Sequence, residues 1–351
     1  MHPGLTLNNL FHTKISGTGN AFPSKGNWIN NEDIHALIFG DDFQQKMEAK
    51  KLDPSYYEKE LGLKKRFWVH TPGSPIVRDE LTSADLMIEA ANNAINNSNI
   101  PKNEIDFVIA VTITSPRYAT SMGAYVAGKL GIQAPAIEMK SGCASNLFSI
   151  VLATQLIQSG ARNVLIACGE TNSKIIQPGT NMLYAGGDAG AAIILSKTNN
   201  SSKGIVAAYI NTEGSFSGHM GVPGLMPPNE EDIINKNYFL TYSNTAENFL
   251  DEAWSQTPGV LYKAASLNAT DIDCLIPHQV LKKRTEFISD ASGIDMDKTI
   301  DILADYANCG SASLLLALHH AKQTKQLNEG QTAMLVAAGG GVSWGGLIIK
   351  T

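Results

Sequence analysis

Short unbroken apolar runs punctuate the chain at 107–111, 164–168, 192–195, 274–276 and 333–338. Most are flanked on at least one side by Gly, Asn, Asp or Pro, which is how a strand buried on both faces reads. Longer stretches between them have helical character. The run that starts at Cys143-Ala144-Ser145 and ends near Gly160 is apolar at 150, 151, 152, 153, 156 and 157, a helix whose main face is buried. Residues 314–321 are apolar except for His319 and His320, so this helix is expected between two layers. Strands alternating with helices in both halves predict an α/β fold, with parallel-rich sheets covered by helices.

The pattern repeats. A polar turn, Ile-Asp and an apolar strand occur at Ile105-Asp106-Phe107-Val108 and again at Ile272-Asp273-Cys274-Leu275, 167 residues on. The helical run after Cys143 has a counterpart after Asn308, and each is followed by a strand. Two correlated blocks at nearly one offset indicate two related halves, 1–197 and 198–351, joined near Thr198-Asn199-Asn200-Ser201-Ser202. In this alignment Asn308 stands where Cys143 stands. Residues 213–236, rich in Gly, Pro and acids, read as a long loop of the kind that lines a site.

Composition narrows the function classes. With 351 residues, two domains are the prior expectation, and 43% hydrophobic residues supply a large core. The net charge of −6 excludes a generally basic nucleic-acid binder. Four cysteines without a CxxC pair make neither a disulfide scaffold nor a zinc site. Residues 1–17 lack the apolar run of a signal peptide, and no apolar stretch approaches the roughly 18 residues of a membrane span. A soluble, cytoplasmic protein is expected. Gly17-Thr18-Gly19 has Phe22 where a dinucleotide fingerprint needs a third Gly.

Three residues stand out for chemistry. Cys143, in Lys140-Ser141-Gly142-Cys143-Ala144-Ser145, sits at a strand–turn–helix junction, where a helix N-terminus stabilises a thiolate and lowers its pKa. A small buried cysteine is the alternative. His278 follows the strand Cys274-Leu275-Ile276-Pro277, the end at which α/β folds place their sites. Asn308 is either an ordinary N-cap or, through the pseudo-symmetry, a third group converging with Cys143 and His278. Cys168, Cys274, His319 and His320 read as structural, Cys309 as nearly so, His219 as solvated, and Asp188 as a turn residue that holds structure.

These residues resemble the thiolase-fold condensing enzymes, and most closely the β-ketoacyl-[acyl-carrier-protein] synthase III family. Pro277-His278-Gln279, Asn308-Cys309-Gly310-Ser311-Ala312-Ser313, Gly339-Gly340-Gly341-Val342-Ser343-Trp344-Gly345, Ile15-Ser16-Gly17-Thr18-Gly19 and Leu61-Gly62-Leu63-Lys64-Lys65-Arg66 match its signatures. The resemblance runs from about Ile15 to Lys350. It implies a thiolase-like fold of two pseudo-symmetric βαβαβαββ halves in an αβαβα stack. It also implies that Cys143 is acylated from an acyl thioester, with the backbone N–H groups of Cys143 and Gly340 as oxyanion hole. His278 and Asn308 would then hold the enolate formed when a malonyl- or β-ketoacyl-type thioester loses CO₂. No metal or redox cofactor is implied.

Near relatives differ: thiolases carry a second Cys in the last glycine loop, and plant-type polyketide synthases carry Gly-Pro-Gly there. Tyr56 and Tyr57 stand near where the type III enzymes carry a Trp, Glu60 stands for an Arg, Val280-Leu281 for Ala-Asn, and Ala338 for a Phe. A longer or unusual acyl group is therefore expected, in specialised lipid or polyketide metabolism, delivered by an acyl carrier protein that Lys282, Lys283 and Arg284 would dock. The resemblance further implies a homodimer, with residues 116–130 near its interface. Acyl transfer to an alcohol or amine, and a non-catalytic partner subunit, remain alternative readings.

Overall fold

The computed structural model describes residues 4–8, 10, 12–23, 28–200 and 203–351. Ser201 and Ser202 of the link, and residues 1–3, 9 and 11 of the N-terminal stretch, lie outside the described residues. Among the described residues two five-stranded sheets carry the fold.

The first sheet contains β2 (Thr13–Ala21), β3 (Phe107–Val111), β4 (Ala136–Met139), β5 (Asn163–Thr171) and β6 (Asp188–Lys197), in the order β2-β6-β5-β3-β4. The second contains β7 (Gly204–Thr212), β8 (Cys274–Pro277), β9 (Thr332–Gly339) and β10 (Ser343–Lys350), in the order β7-β10-β9-β8. The two orders correspond strand for strand. Where β4 flanks β3, Thr299 makes a single parallel bridge to Leu275 of β8. The far edge of the second sheet is β1 (Leu5–Asn8), antiparallel to β7, a strand from the start of the chain that the sequence reading did not anticipate.

Helices α1 (Ser83–Ser98) and α2 (Met122–Leu130) cover the outside of the first sheet. Helices α4 (Asn244–Ala265) and α5 (Lys282–Ser292) cover the second. Between the sheets lie α3 (Ser145–Gln158) and α6 (Ser313–Gln323), each packed on strands of both halves. The stack is αβαβα. Every residue of β5 is buried and so is all of β6 but its last, as the unbroken apolar runs require of strands covered on both faces. No helix among the described residues is long and apolar enough to cross a membrane.

The repeat is physical. The carboxylate of Asp106 accepts from the Arg162 N–H at 2.6 Å, and that of Asp273 from the Thr332 N–H at 2.8 Å, so the same aspartate ties the same strand ends in each half. The long segment 213–236 is loop apart from a turn of 3₁₀ helix, a two-residue strand and the short helix Glu230–Ile234.

Candidate active site

Each half builds one tight elbow ahead of its central helix. In the first, Gly142 takes φ +58° and the Ser145 hydroxyl accepts from the Ser141 N–H at 2.6 Å. In the second, Gly310 takes φ +55° and the Ser313 hydroxyl accepts from the Cys309 N–H at 2.8 Å. A left-handed glycine followed three residues later by a serine strut therefore recurs 168 residues apart. This register corrects the sequence alignment by three residues: the counterpart of Cys143 is Ser311, not Asn308. Helix α6 accordingly starts at Ser313, and Asn308 lies ahead of the elbow, bridged to Gly186 in the first half.

Cys143, His278, Asn308 and Gly340 nevertheless line one cavity of about 1170 Å³ between the halves. The glycine loop after β9 presses against the Cys143 elbow. A Cβ on Gly339 would sit 2.4 Å from the Cys143 nitrogen, and one on Gly142 would sit 2.1 Å from the Gly340 oxygen. Only residues without side chains permit that approach. The elbow is pinned to β10 by Ser141, whose hydroxyl donates to Ser343 at 2.8 Å, and Ser343 shares a 3.0 Å hydrogen bond with Thr212.

His278 stands at the end of β8, held by its own N–H on the Val336 carbonyl at 2.8 Å. Gln279 braces it from behind, donating to the Pro277 and Ile300 carbonyls and accepting from the Ile302 N–H. The imidazole is 1% exposed, and its Nδ1 has no partner. Burial, with the Arg284 cation adding to it, pushes its pKa down to about 3, so the ring is neutral at physiological pH. Asn308 is oriented by its carboxamide oxygen, which accepts from the Gly310 N–H at 2.9 Å and the Ser313 hydroxyl at 3.4 Å. Those contacts leave its Nδ2 hydrogens for a ligand.

The thiol departs from expectation. Burial pushes Cys143 up to about 12, and the carboxylate of Glu170 adds to the shift. Cys143 stands two residues ahead of α3, half-buried in the cavity wall. A group raised this far is a neutral thiol near pH 7, and its thiolate fraction grows with pH. Alkylation of Cys143 by iodoacetamide, followed by mass with Cys143→Ala as control, should rise about tenfold per pH unit from 7 to 10. A plateau beginning below pH 9 would mean a lowered thiol instead.

Sequence reasoning missed Glu170, which is fully buried at the end of β5. It accepts from the Ile113 N–H at 3.0 Å, the Thr114 N–H at 3.2 Å and the Thr114 hydroxyl at 2.7 Å, and from the hydroxyls of Thr112 and Ser311. The signal was a lone acid closing an otherwise apolar run. Asp188 is likewise no turn residue. It opens β6, is buried, and accepts from the Val69 N–H at 2.7 Å and the Ser173 N–H at 2.9 Å, with burial raising its pKa to about 6.

Cys168, Cys274 and Cys309 are buried. His319 is buried on the Thr18 hydroxyl at 2.8 Å, and His219 is exposed beside Ser243. Of the three basic residues at the start of α5, Lys282 reaches the Lys59 carbonyl and Lys283 faces Glu60 at 4.0 Å. Arg284 turns into the cavity wall, paired with Asp251 at 3.2 Å and Glu247 at 3.9 Å. Tyr57 lies stacked on Tyr184, ring centres 3.4 Å apart, and its hydroxyl donates to Asn181. Tyr56 is exposed beside it.

Comparison with known proteins agrees with this geometry. Residues 137–214 match the family described as 3-oxoacyl-[acyl-carrier-protein] synthase III, and residues 262–351 match its C-terminal family. A β-ketoacyl-[acyl-carrier-protein] synthase III of Neisseria meningitidis is 28% identical over 347 residues, covering 97% of this chain and 99% of that protein. The crystal structure of 3-oxoacyl-[acyl-carrier-protein] synthase III from Aquifex aeolicus superposes with a TM-score of 0.82 at 20% identity, over 97% of this chain and all of that one. The priming β-ketosynthase of the R1128 polyketide pathway superposes at 0.80 with 17% identity, over 99% of this chain and 98% of that one. The solved structures share the fold; one matched segment covers the elbow of Cys143 and runs into the second half, and the other covers His278 and Asn308. In sequence and fold the chain is similar to the β-ketoacyl-[acyl-carrier-protein] synthase III family of thiolase-fold condensing enzymes.

Proposed function

We propose that this protein acylates Cys143 from an acyl thioester and extends the acyl group by decarboxylative condensation. The observation that carries the reading is the convergence of Cys143, His278 and Asn308 in one cavity, with the Gly340 backbone against the cysteine elbow.

Sγ of Cys143 attacks the thioester carbonyl. The thiol proton ends on the departing thiolate, which leaves as a thiol, while the N–H groups of Cys143 and Gly340 receive the oxyanion. A malonyl-type thioester then binds with its carbonyl on His278 and the Asn308 Nδ2. Its carboxylate leaves as CO₂, and the electron pair of the broken C–C bond becomes the enolate held by those two donors. The enolate carbon attacks the acyl-Cys carbonyl, forming a C–C bond and expelling the Cys143 thiolate, which is reprotonated. A neutral histidine still carries one ring N–H, which is the donor this step needs. The size of the cavity supports a long acyl group, and the exposed Lys283 at its rim, with the half-buried Lys282 beside it, supports delivery by an acidic carrier protein.

Intact-protein mass after incubation with acyl-CoAs and acyl-carrier proteins tests this. The expected result is a mass gain on wild type and none on Cys143→Ala, with CO₂ released when malonyl donor follows. The Lys282→Glu, Lys283→Glu double variant should lose loading from carrier protein and keep loading from CoA. A mass gain without CO₂, and with the acyl group appearing on an alcohol or amine, would replace condensation by simple transfer. No gain with any donor would favour a non-catalytic partner subunit.

A further inference from the structure

A second cavity, of about 500 Å³, lies at the opposite end of the sheet stack. β10 connects the two: Ser343 at its start lines the first and Lys350 at its end lines the second. Eight residues of strand put them on the order of 25 Å apart.

The charge of this second cavity is unusual for an acidic chain. Lys14 and Lys197 enter from the first half, and Lys203, Lys322 and Lys350 from the second, against two acids, Glu104 and Glu329. Lys203 is ion-paired with the Glu329 carboxylate, and the charges of Lys14 and Lys322 act on the same group. Lys322 is half-buried, and its ammonium is disfavoured by burial and by Lys203. Glu329 is a poor permanent partner for them, because its side chain is 81% exposed and can swing away at little cost.

Three hydroxyls in the same wall, Thr13 Oγ1, Ser16 Oγ and Ser196 Oγ, have no hydrogen-bond partner among the described residues. Thr13 is 1% exposed and Ser196 5%. Buried hydroxyls are ordinarily satisfied, so these donors are unspent. Ile15, Ile100, Ile205 and Ile349 supply apolar wall beside them.

We propose that this cavity binds a small phosphorylated metabolite. Its phosphate groups would replace Glu329 among the lysines and accept from the free hydroxyls, and its apolar part would lie against the isoleucines. The volume falls within the range of small-molecule sites, and the ligand would span both halves of the fold.

Isothermal titration of the full chain with ADP and with inorganic pyrophosphate tests this. Both should bind saturably, ADP more tightly because it can use the isoleucine wall. Lys14→Ala and Lys322→Met should each weaken binding by about tenfold or more, the loss of one charge-assisted hydrogen bond. Lys283→Glu, at the rim of the other cavity, should change nothing. Thr13→Val keeps the shape of the side chain and removes one unspent hydroxyl, so it should weaken binding while the melting temperature stays the same or rises. The proposal is overturned if neither probe binds below about 10 mM. It is equally overturned if Lys283→Glu weakens binding and Lys14→Ala does not, which would place the nucleotide in the other cavity. ADP no tighter than pyrophosphate would remove the isoleucine contact.

Discussion

Gly142→Ala should abolish acylation of Cys143 although the cysteine itself is untouched. Gly142 holds φ +58°, where an added Cβ costs about 1–2 kcal/mol. The larger effect is steric. That Cβ would sit 2.1 Å from the Gly340 oxygen and 2.7 Å from its nitrogen, both backbone atoms that cannot rotate away. The two loops must part by roughly 1 Å, and a displacement of that size at reacting atoms costs on the order of 100-fold in rate. It also separates the two N–H groups assigned to the oxyanion. The measurement is the acylation rate by mass spectrometry, beside a melting curve. A folded Gly142→Ala protein that acylates at the wild-type rate would show that the contact between elbow and glycine loop is dispensable.

The second large effect concerns Glu170. Glu170→Leu leaves the Ile113 N–H and the hydroxyls of Thr112, Thr114 and Ser311 without this acceptor in a fully buried place, while the Thr114 N–H keeps the Thr112 hydroxyl at 3.0 Å. Each stranded donor costs about 1–3 kcal/mol, and several together reach the range in which domains of this kind cease to fold at 37 °C, roughly 5 kcal/mol or more. Glu170→Gln keeps the volume and one acceptor oxygen, and should lose about 1–2 kcal/mol. The deficit should depend on pH. Burial raises the Glu170 pKa, so ionising it costs the folded state more than the unfolded one. The wild type therefore loses stability as pH rises through the raised pKa, whereas the glutamine does not titrate. Chemical denaturation should show the gap between Glu170→Gln and wild type narrowing as pH rises from 4. A gap that widens would mean that Glu170 is stabilised as the carboxylate.

The internal repeat was legible because the Ile-Asp-strand pattern recurs and because buried strands leave unbroken apolar runs. The local register was not, although its signal was present: Ser141-Gly142-Cys143-Ala144-Ser145 lies over Cys309-Gly310-Ser311-Ala312-Ser313 with Gly on Gly and Ser on Ser. Matching Cys143 to Asn308 compared chemistry with chemistry, whereas the backbone compares turn with turn. The site residues were legible one by one, each beside a strand end or a glycine. Their environment was not: burial reverses the direction expected for the thiol, and Arg284 faces two acids brought from α4, more than 30 residues away. The lysines of the second cavity come from positions 14, 197, 203, 322 and 350, and only the fold assembles them.

The twin elbows bear on how this chain can change. At 143 the side chain opens onto a cavity, so evolution can trade the nucleophile for another small residue without disturbing a single strut. At 311 the corresponding hydroxyl is fixed to Glu170 beneath the site, and substitution there falls on the scaffold. One copy of the duplicated elbow faces the cavity and the other is tied into the scaffold, so of the two elbows only the first can exchange its side chain without breaking a buried contact.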